Sequence, residues 1–353
     1  MENILDKYIC TIPFSYIEVH DNEVFGCCPS WLPVSFGNPE NIDNLINNDD
    51  RRKVWESILD GSYCYCDKNR CTHLSNLIHH GQSSRIFIRK DKFSLSTYGN
   101  FSKRPSIINL CIDRSCNLSC GSCRKDIIVS NIEESKIITE KMNNLLEVFG
   151  DSISRLYLSG SGDPFASKSY RDFLINFDSK KYPKINSIHL HTNGLLFDEV
   201  MWNKIKNVHK FIKSIEISID AGTKETYEKV RGGNWNKLID NLNFIASIST
   251  IGEKTFSFVV QDTNFREMCM FHNIISKLPH AQEQYIIYFG KIINWGTYTD
   301  DEYLKKQIWN ENHIEFNGFL SELKKVNCKY GVISNLNDII EKYKLKEVRK
   351  SLI

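Results

Sequence analysis

From Ser106 onward the chain alternates short β-branched runs with longer stretches of helical periodicity, which restricts it to βα units around a parallel sheet. The runs are SIINLCI (Ser106 to Ile112), SRLYLSG (Ser154 to Gly160), IHLHT (Ile188 to Thr192), SIEISID (Ser214 to Asp220), TFSFVVQ (Thr255 to Gln261) and QYIIYF (Gln284 to Phe289). Between the first two, Glu134 to Val148 carries Ile137, Ile138, Met142, Leu145 and Leu146 near helical spacing. Six such units predict an α/β fold, a partial (β/α)6 barrel of the TIM type. Sheets of this kind place functional loops at the carboxyl ends of their strands, and the unusual polar clusters of this region fall there.

Before Ser106 the pattern breaks into short strands, Gly and Pro turns and cysteines. Residues 1–100 therefore read as a small cysteine-rich domain stapled by metal, 101–295 as the βα core and 296–353 as mainly helical. The start, MENILDKYICTIPF, has no basic leader with an apolar region behind it, and no run of 18 apolar residues follows. A cytoplasmic location and no membrane partner are expected. In a reducing compartment clustered cysteines point to metal rather than to disulfides, and ten of the twelve lie before Arg124. Lys and Arg total 45 against 43 Asp and Glu, so no basic field exists to gather nucleic acid.

The first strand runs into Asp113-Arg114-Ser115-Cys116-Asn117-Leu118-Ser119-Cys120-Gly121-Ser122-Cys123, a CxxxCxxC just past a strand. Three thiolates on a short loop can bind three irons of a cubane cluster and leave the fourth open, whereas structural zinc takes a closed set of four ligands. On spacing alone a zinc knuckle completed from elsewhere, or reduced cysteines that merely cluster, stay open. Cys111, Cys269 and Cys328 read as small buried hydrophobes.

A CxxxCxxC after the first strand of six βα units resembles the radical S-adenosylmethionine (SAM) superfamily, over about Ser106 to Phe289. The resemblance implies a 4Fe-4S cluster on Cys116, Cys120 and Cys123 whose open iron chelates SAM. One electron, from a donor such as flavodoxin or ferredoxin, then cleaves SAM to methionine and a 5′-deoxyadenosyl radical. It also implies that Ser161-Gly162-Asp163, in LSGSGDP, takes the place of a Gly-Gly-Glu type turn that receives the methionine amino group. Ser218 would hydrogen-bond SAM and Arg231, in ETYEKVRGG, would pair with its carboxylate, while Asn193, in Thr192-Asn193-Gly194, matches a position near SAM and substrate. The chain departs from the family at Ser122, where an aromatic residue often packs near adenine.

The amino-terminal region holds Cys10, Cys27, Cys28, Cys64, Cys66 and Cys71, with Asp21 to Gly26 before Cys27, then Phe36-Gly37-Asn38 and Trp55-Glu56-Ser57. This order is similar to the SPASM or twitch type of accessory domain, though that domain usually follows the barrel. The resemblance implies a second, auxiliary 4Fe-4S cluster on Cys10, Cys27, Cys66 and Cys71, with Cys27 favoured over Cys28 and Cys64 left over. A zinc site on the same four thiols is the rival.

The expected function is hydrogen abstraction from a peptide or protein substrate, with dehydrogenation or epimerisation of a sugar or sugar nucleotide as the alternative. A noncatalytic iron-sulfur or zinc sensor or scaffold is the alternative of another class, against which the strand-end residues Asp163, Ser218 and Arg231 speak.

Overall fold

The computed structural model describes residues 3–41, 45–81, 83–94, 104–158, 161–281, 285–330 and 333–345. Ser159, Gly160 and Gln284, expected at strand ends, and the side chain of Cys328 lie outside the described residues. The chain divides into two compact units: Met1–Ser115 with Val129–His191 and Ile205–Lys213, and Cys116–Ile128 with Thr192–Lys204 and Ser214–Ile353.

The first unit contains strands β1 (Tyr8–Cys10), β2 (Tyr16–Val19), β3 (Val24–Phe25), β4 (Phe87–Arg89), β5 (Ile107–Leu110), β6 (Arg155–Leu158) and most of β7 (Ser187–Thr192). β1 pairs antiparallel with β4. β2 pairs antiparallel with β3 and parallel with β5, and the parallel run continues through β6 to β7. Alternation with a period of two sorts the side chains: Ile108, Leu110, Leu156, Leu158, Ile188 and Leu190 are fully buried, while Asn109, Tyr157 and His189 line the other face half-exposed. The helix Ile132–Phe149 lies between β5 and β6 in the chain. Its start is fixed by a capping box between Asn131 and Glu134, and it buries Ile138, Met142, Leu145, Leu146 and Phe149 at helical spacing.

The parallel run begins inside the first hundred residues, so the division of the fold does not follow the expected boundary near residue 100. The cysteine-rich segment serves as the crossover that parallel neighbours β2 and β5 require. It carries the helices Asp49–Leu59 and Thr72–His80. The first of these is anchored by Trp55, which is fully buried, donates through Nε1 to the Pro13 carbonyl at 2.7 Å and packs its ring 4.6 Å from Phe14.

The second unit is built on β8 (Ile212–Ser218, its first two residues in the other unit), β9 (Glu253–Val260), β10 (Tyr285–Lys291) and β11 (Ile333–Ser334), all parallel in that order. Helices Lys224–Arg231 and Trp235–Ser247 separate β8 from β9, Met268–Ile275 separates β9 from β10, and Phe316–Tyr330 precedes β11. Phe258 of β9 packs 5.1 Å from Phe271 and 5.6 Å from Phe289, which ties strand to helix and strand to strand. The parallel α/β architecture is the one expected, with β2 and β11 added to the six strands read from the sequence. Among the described residues no helix is long and apolar enough to cross a membrane.

Candidate functional site

In the first unit the chain leaving β5 is held by Asp113, which is fully buried. Its Oδ1 accepts from the Ser115 amide at 2.8 Å and the Ser130 hydroxyl at 3.0 Å, and its Oδ2 from the Ser167 hydroxyl at 2.6 Å. Three donors from separate segments hold this buried carboxylate in one orientation. The Ser161-Gly162-Asp163 turn packs on the same backbone. Ser161 Oγ donates to the Cys111 and Asp113 carbonyls, and the Asp163 amide to the Ser115 carbonyl at 2.8 Å. A Cβ on Gly162 would sit 2.6 Å from the Asp113 and Ser115 carbonyl oxygens, so only glycine fits there. Gly162→Ala is expected to cost about 1–3 kcal/mol, since backbone must shift to admit the methyl group; a melting curve matching that of the unsubstituted protein would count against this packing. The Asp163 carboxylate, read from the sequence as an acceptor for an ammonium group, is buried and accepts from the Phe165 amide at 2.9 Å, so it also caps its own turn.

In the second unit Cys116, Cys120 and Cys123 occupy a loop without regular structure, the first two buried and the third half-buried. Cys116 is fixed by its amide, which donates to the Ile128 carbonyl at 2.8 Å. The polar groups around the sulfurs are mostly donors or cations. Asn193 Nδ2 lies 3.7 Å from Cys116 Sγ and 2.9 Å from Asn117 Oδ1, and Arg124 Nη2 lies 3.4 Å from Cys123 Sγ. The Cys120 thiol donates to the Arg231 carbonyl at 3.7 Å. Burial pushes the Cys120 thiol up, and the Arg231 guanidinium opposes that shift. A Cβ on Gly121 would come within 2.9 Å of the Tyr298 hydroxyl, and the Trp295 amide donates to the Ser122 carbonyl at 3.3 Å, so the 294–298 segment packs against this loop. Nothing in the sequence marked that contact.

Arg231 ends the helix Lys224–Arg231, where Gly232 caps in the left-handed region. Its Nη1 donates to Asp220 Oδ2 at 2.9 Å in a largely buried pair. Burial works against the arginine charge, but Cys120 and Asp220 hold its pKa above the ordinary value. Asp220 follows β8 with φ of 61°, a conformation non-glycine residues adopt at a cost. Three bonds hold it there: Oδ1 accepts from the Val259 amide at 2.7 Å, Oδ2 from Arg231, and its carbonyl from Asn264 Nδ2 at 2.9 Å. Ser218 closes β8 with its hydroxyl 3.4 Å from that of Ser257. The second unit thus gathers Asn193, Arg231 and Asp220 with the three cysteines; sequence reading missed Asp220, whose signal was an acidic residue at a strand end eleven positions before a basic one.

The amino-terminal cysteines lie in the first unit. Cys10 ends β1, Cys27 follows β3, Cys66 sits in a turn closed by its amide on the Tyr63 carbonyl at 3.0 Å, and Cys71 caps the helix Thr72–His80. Tyr63 braces this group, its hydroxyl donating to the Tyr8 carbonyl at 2.8 Å and accepting from the Cys10 amide at 3.0 Å. Burial pushes the Cys66 thiol up to about 12, and the nearby Cys71 and Cys64 add to it. Cys10 and Cys27 are raised by burial and then by neighbouring thiols, Cys71 among them in both cases. Thiols so disposed become thiolates only when a cation compensates them. Cys64 is exposed.

Three thiols on one loop, surrounded by donors and an arginine, suit an iron-sulfur cluster with an open iron: thiolates bind it, and N–H groups near the sulfurs set its potential. Residues 111–269 match the Radical SAM superfamily. That segment is therefore a radical SAM domain, of a superfamily that uses a 4Fe-4S cluster and SAM. Among curated proteins it is 28% identical over 131 residues to a probable GTP 3′,8-cyclase of Methanococcus aeolicus, covering 36% of this chain and 41% of that one. It is 23% identical over 175 residues to the GTP 3′,8-cyclase of Clostridium acetobutylicum, covering 49% of this chain and 53% of that one. The matches span about half the length of these relatives. Among solved structures, SuiB of Streptococcus suis bound to S-adenosylmethionine aligns over 86% of this chain and 57% of its own, at 13% identity and a TM-score of 0.44, too weak a likeness to bear on function.

Proposed function

We propose that this chain cleaves SAM reductively and abstracts hydrogen from a peptide or protein substrate. The observation that carries the first half is the grouping of Cys116, Cys120 and Cys123 with Arg231 and Asn193 in one unit. When bound, the cluster and SAM supply one-electron cleavage and a carbon-centred radical. The protein's own contribution is to hold and orient. Arg231, aimed by Asp220, presents a planar fork to a carboxylate, and Asn193 and Ser218 offer hydrogen bonds. Ser161, Gly162 and Asp163 form a glycine-containing turn with an acidic member for an ammonium group.

The peptide reading rests on the second thiol set. Cys10, Cys27, Cys66 and Cys71 are proposed to hold an auxiliary 4Fe-4S cluster, as in SPASM-type domains that accompany peptide maturation. Fully ligated by protein, it would exchange electrons with substrate rather than bind SAM. Substituting Cys66 and Cys71 together by alanine is expected to remove about half of the iron while SAM cleavage persists and substrate turnover collapses. Loss of SAM cleavage in a folded variant that keeps its first cluster contradicts that division of labour.

GTP is the second reading, because both curated relatives are named as GTP 3′,8-cyclases. Reduced protein with SAM should be offered, in turn, peptides encoded by short reading frames beside its coding sequence, a nucleotide sugar, and GTP. Hydrogen transferred from a deuterated peptide into 5′-deoxyadenosine supports the first reading; transfer only from GTP or from the nucleotide sugar overturns it.

A further inference from the structure

We propose that Glu18, His20 and Cys111 form a mononuclear site for a zinc-type divalent cation with one exchangeable position, separate from both cysteine constellations described above. Their ligand atoms all lie within 4.8 Å of one another. The backbone explains why. β2 and β5 run parallel with Glu18 opposite Asn109 and Val19 opposite Leu110, and the Cys111 amide continues the ladder to the Val19 carbonyl at 2.8 Å. With a period of two, Glu18, His20, Asn109 and Cys111 share one face of two adjacent strands.

The carboxylate is divided in a way that suits a metal ligand. Glu18 Oε2 accepts from the Tyr16 hydroxyl at 2.7 Å and from Asn109 Nδ2 at 3.2 Å, which fixes the group's orientation. Oε1 is turned to His20 Nε2 at 2.9 Å. The imidazole is set edge-to-face against Phe25, with ring centres 5.5 Å apart. A zinc ion bonded at about 2.0–2.3 Å needs ligand atoms roughly 3.2–3.8 Å apart, within side-chain adjustment of this arrangement. One carboxylate, one thiolate and one neutral imidazole balance a divalent charge, so the loaded site is neutral where Glu18 is 8% and Cys111 2% exposed.

Asn109 points to the fourth ligand. Its Oδ1 is buried with no hydrogen-bond partner among the described residues, and its Nδ2 contacts to Tyr16 and Glu18 fix which end is oxygen. A water on the metal would donate to it. Cys28 Sγ lies 3.0 Å from Ser30 Oγ, so that thiol has a hydrogen-bond partner of its own. Three protein ligands plus water make an open site, the arrangement of zinc centres that bind or polarise a small molecule.

The full chain, with its clusters assembled anaerobically first, should be equilibrated with zinc chloride, desalted and assayed for both metals. Retention of about one zinc per chain is expected, with zinc affinity at least tenfold weaker in His20→Ala and in Cys111→Ser at unchanged iron. Unsubstituted protein that retains no zinc, or variants that retain it fully, overturn the site. Should either variant fail to fold, cobalt(II) in the unsubstituted chain decides. A thiolate-to-cobalt charge-transfer band that leaves the iron content unchanged supports the site, and cobalt without a sulfur ligand contradicts it. None of these readouts depends on SAM cleavage.

Discussion

Replacing Cys116, Cys120 and Cys123 together by alanine is expected to abolish SAM cleavage and to lower iron from about eight to about four per chain after anaerobic reconstitution. The size of the effect follows from ligand count. A cubane held by three thiolates has no other protein ligand to fall back on, and the surrounding groups, Asn193, Arg124 and Arg231, donate or carry positive charge rather than bind metal. The four remaining irons would report the amino-terminal thiols. The three cysteines lie on a loop outside the helices and strands of the second unit, so their removal should leave that unit folded, and the melting temperature should move far less than the activity. Iron retained in full by the triple variant would contradict the assignment.

The second large effect is expected at Arg231. Arg231→Ala should weaken SAM binding about 10- to 100-fold, the value of a lost charge-assisted hydrogen bond of roughly 1.5–3 kcal/mol, with iron unchanged. It should also destabilise the fold by about 3–5 kcal/mol, because Asp220 would be left as a buried carboxylate without its cation. Asp220→Asn separates the two contributions. Asparagine tolerates the left-handed backbone at φ 61° and keeps the acceptor for the Val259 amide, so stability should fall less while the guanidinium loses its aim. Equal SAM affinity in all three proteins, measured by equilibrium binding at matched iron content, would show that Arg231 serves only the fold.

Much of this architecture is legible because burial enforces periodicity. Each of the six expected strands overlaps an observed one, and the helix expected at Glu134 to Val148 spans Ile132–Phe149. The errors have local causes. SIINLCI was expected to run to Ile112, but β5 stops at Leu110 because the amides of Ile112 and Asp113 both turn to the Tyr170 hydroxyl at 3.2 Å. β2 was hidden because four residues give too short a period to read, and its crossover is cysteine-rich rather than one amphipathic helix. Asp113 and Asp220 were passed over for a different reason. What singles them out is a set of donors brought from distant segments, and for Asp220 a positive φ, neither of which has a sequence signature. Cys111, read as a small buried hydrophobe, is indeed buried, yet it shares a strand face with Glu18 and His20, a relation visible only once β2 and β5 are paired.

The most direct test is to reconstitute the chain with iron and sulfide under strict anaerobiosis, reduce it with dithionite, add SAM and quantify 5′-deoxyadenosine and methionine. Both should form in equal amounts from the unsubstituted protein and from the Cys66, Cys71 double variant, and neither from the Cys116, Cys120, Cys123 triple variant. A preparation that binds only zinc, or one that holds two clusters and leaves SAM intact after reduction, would contradict the central claim.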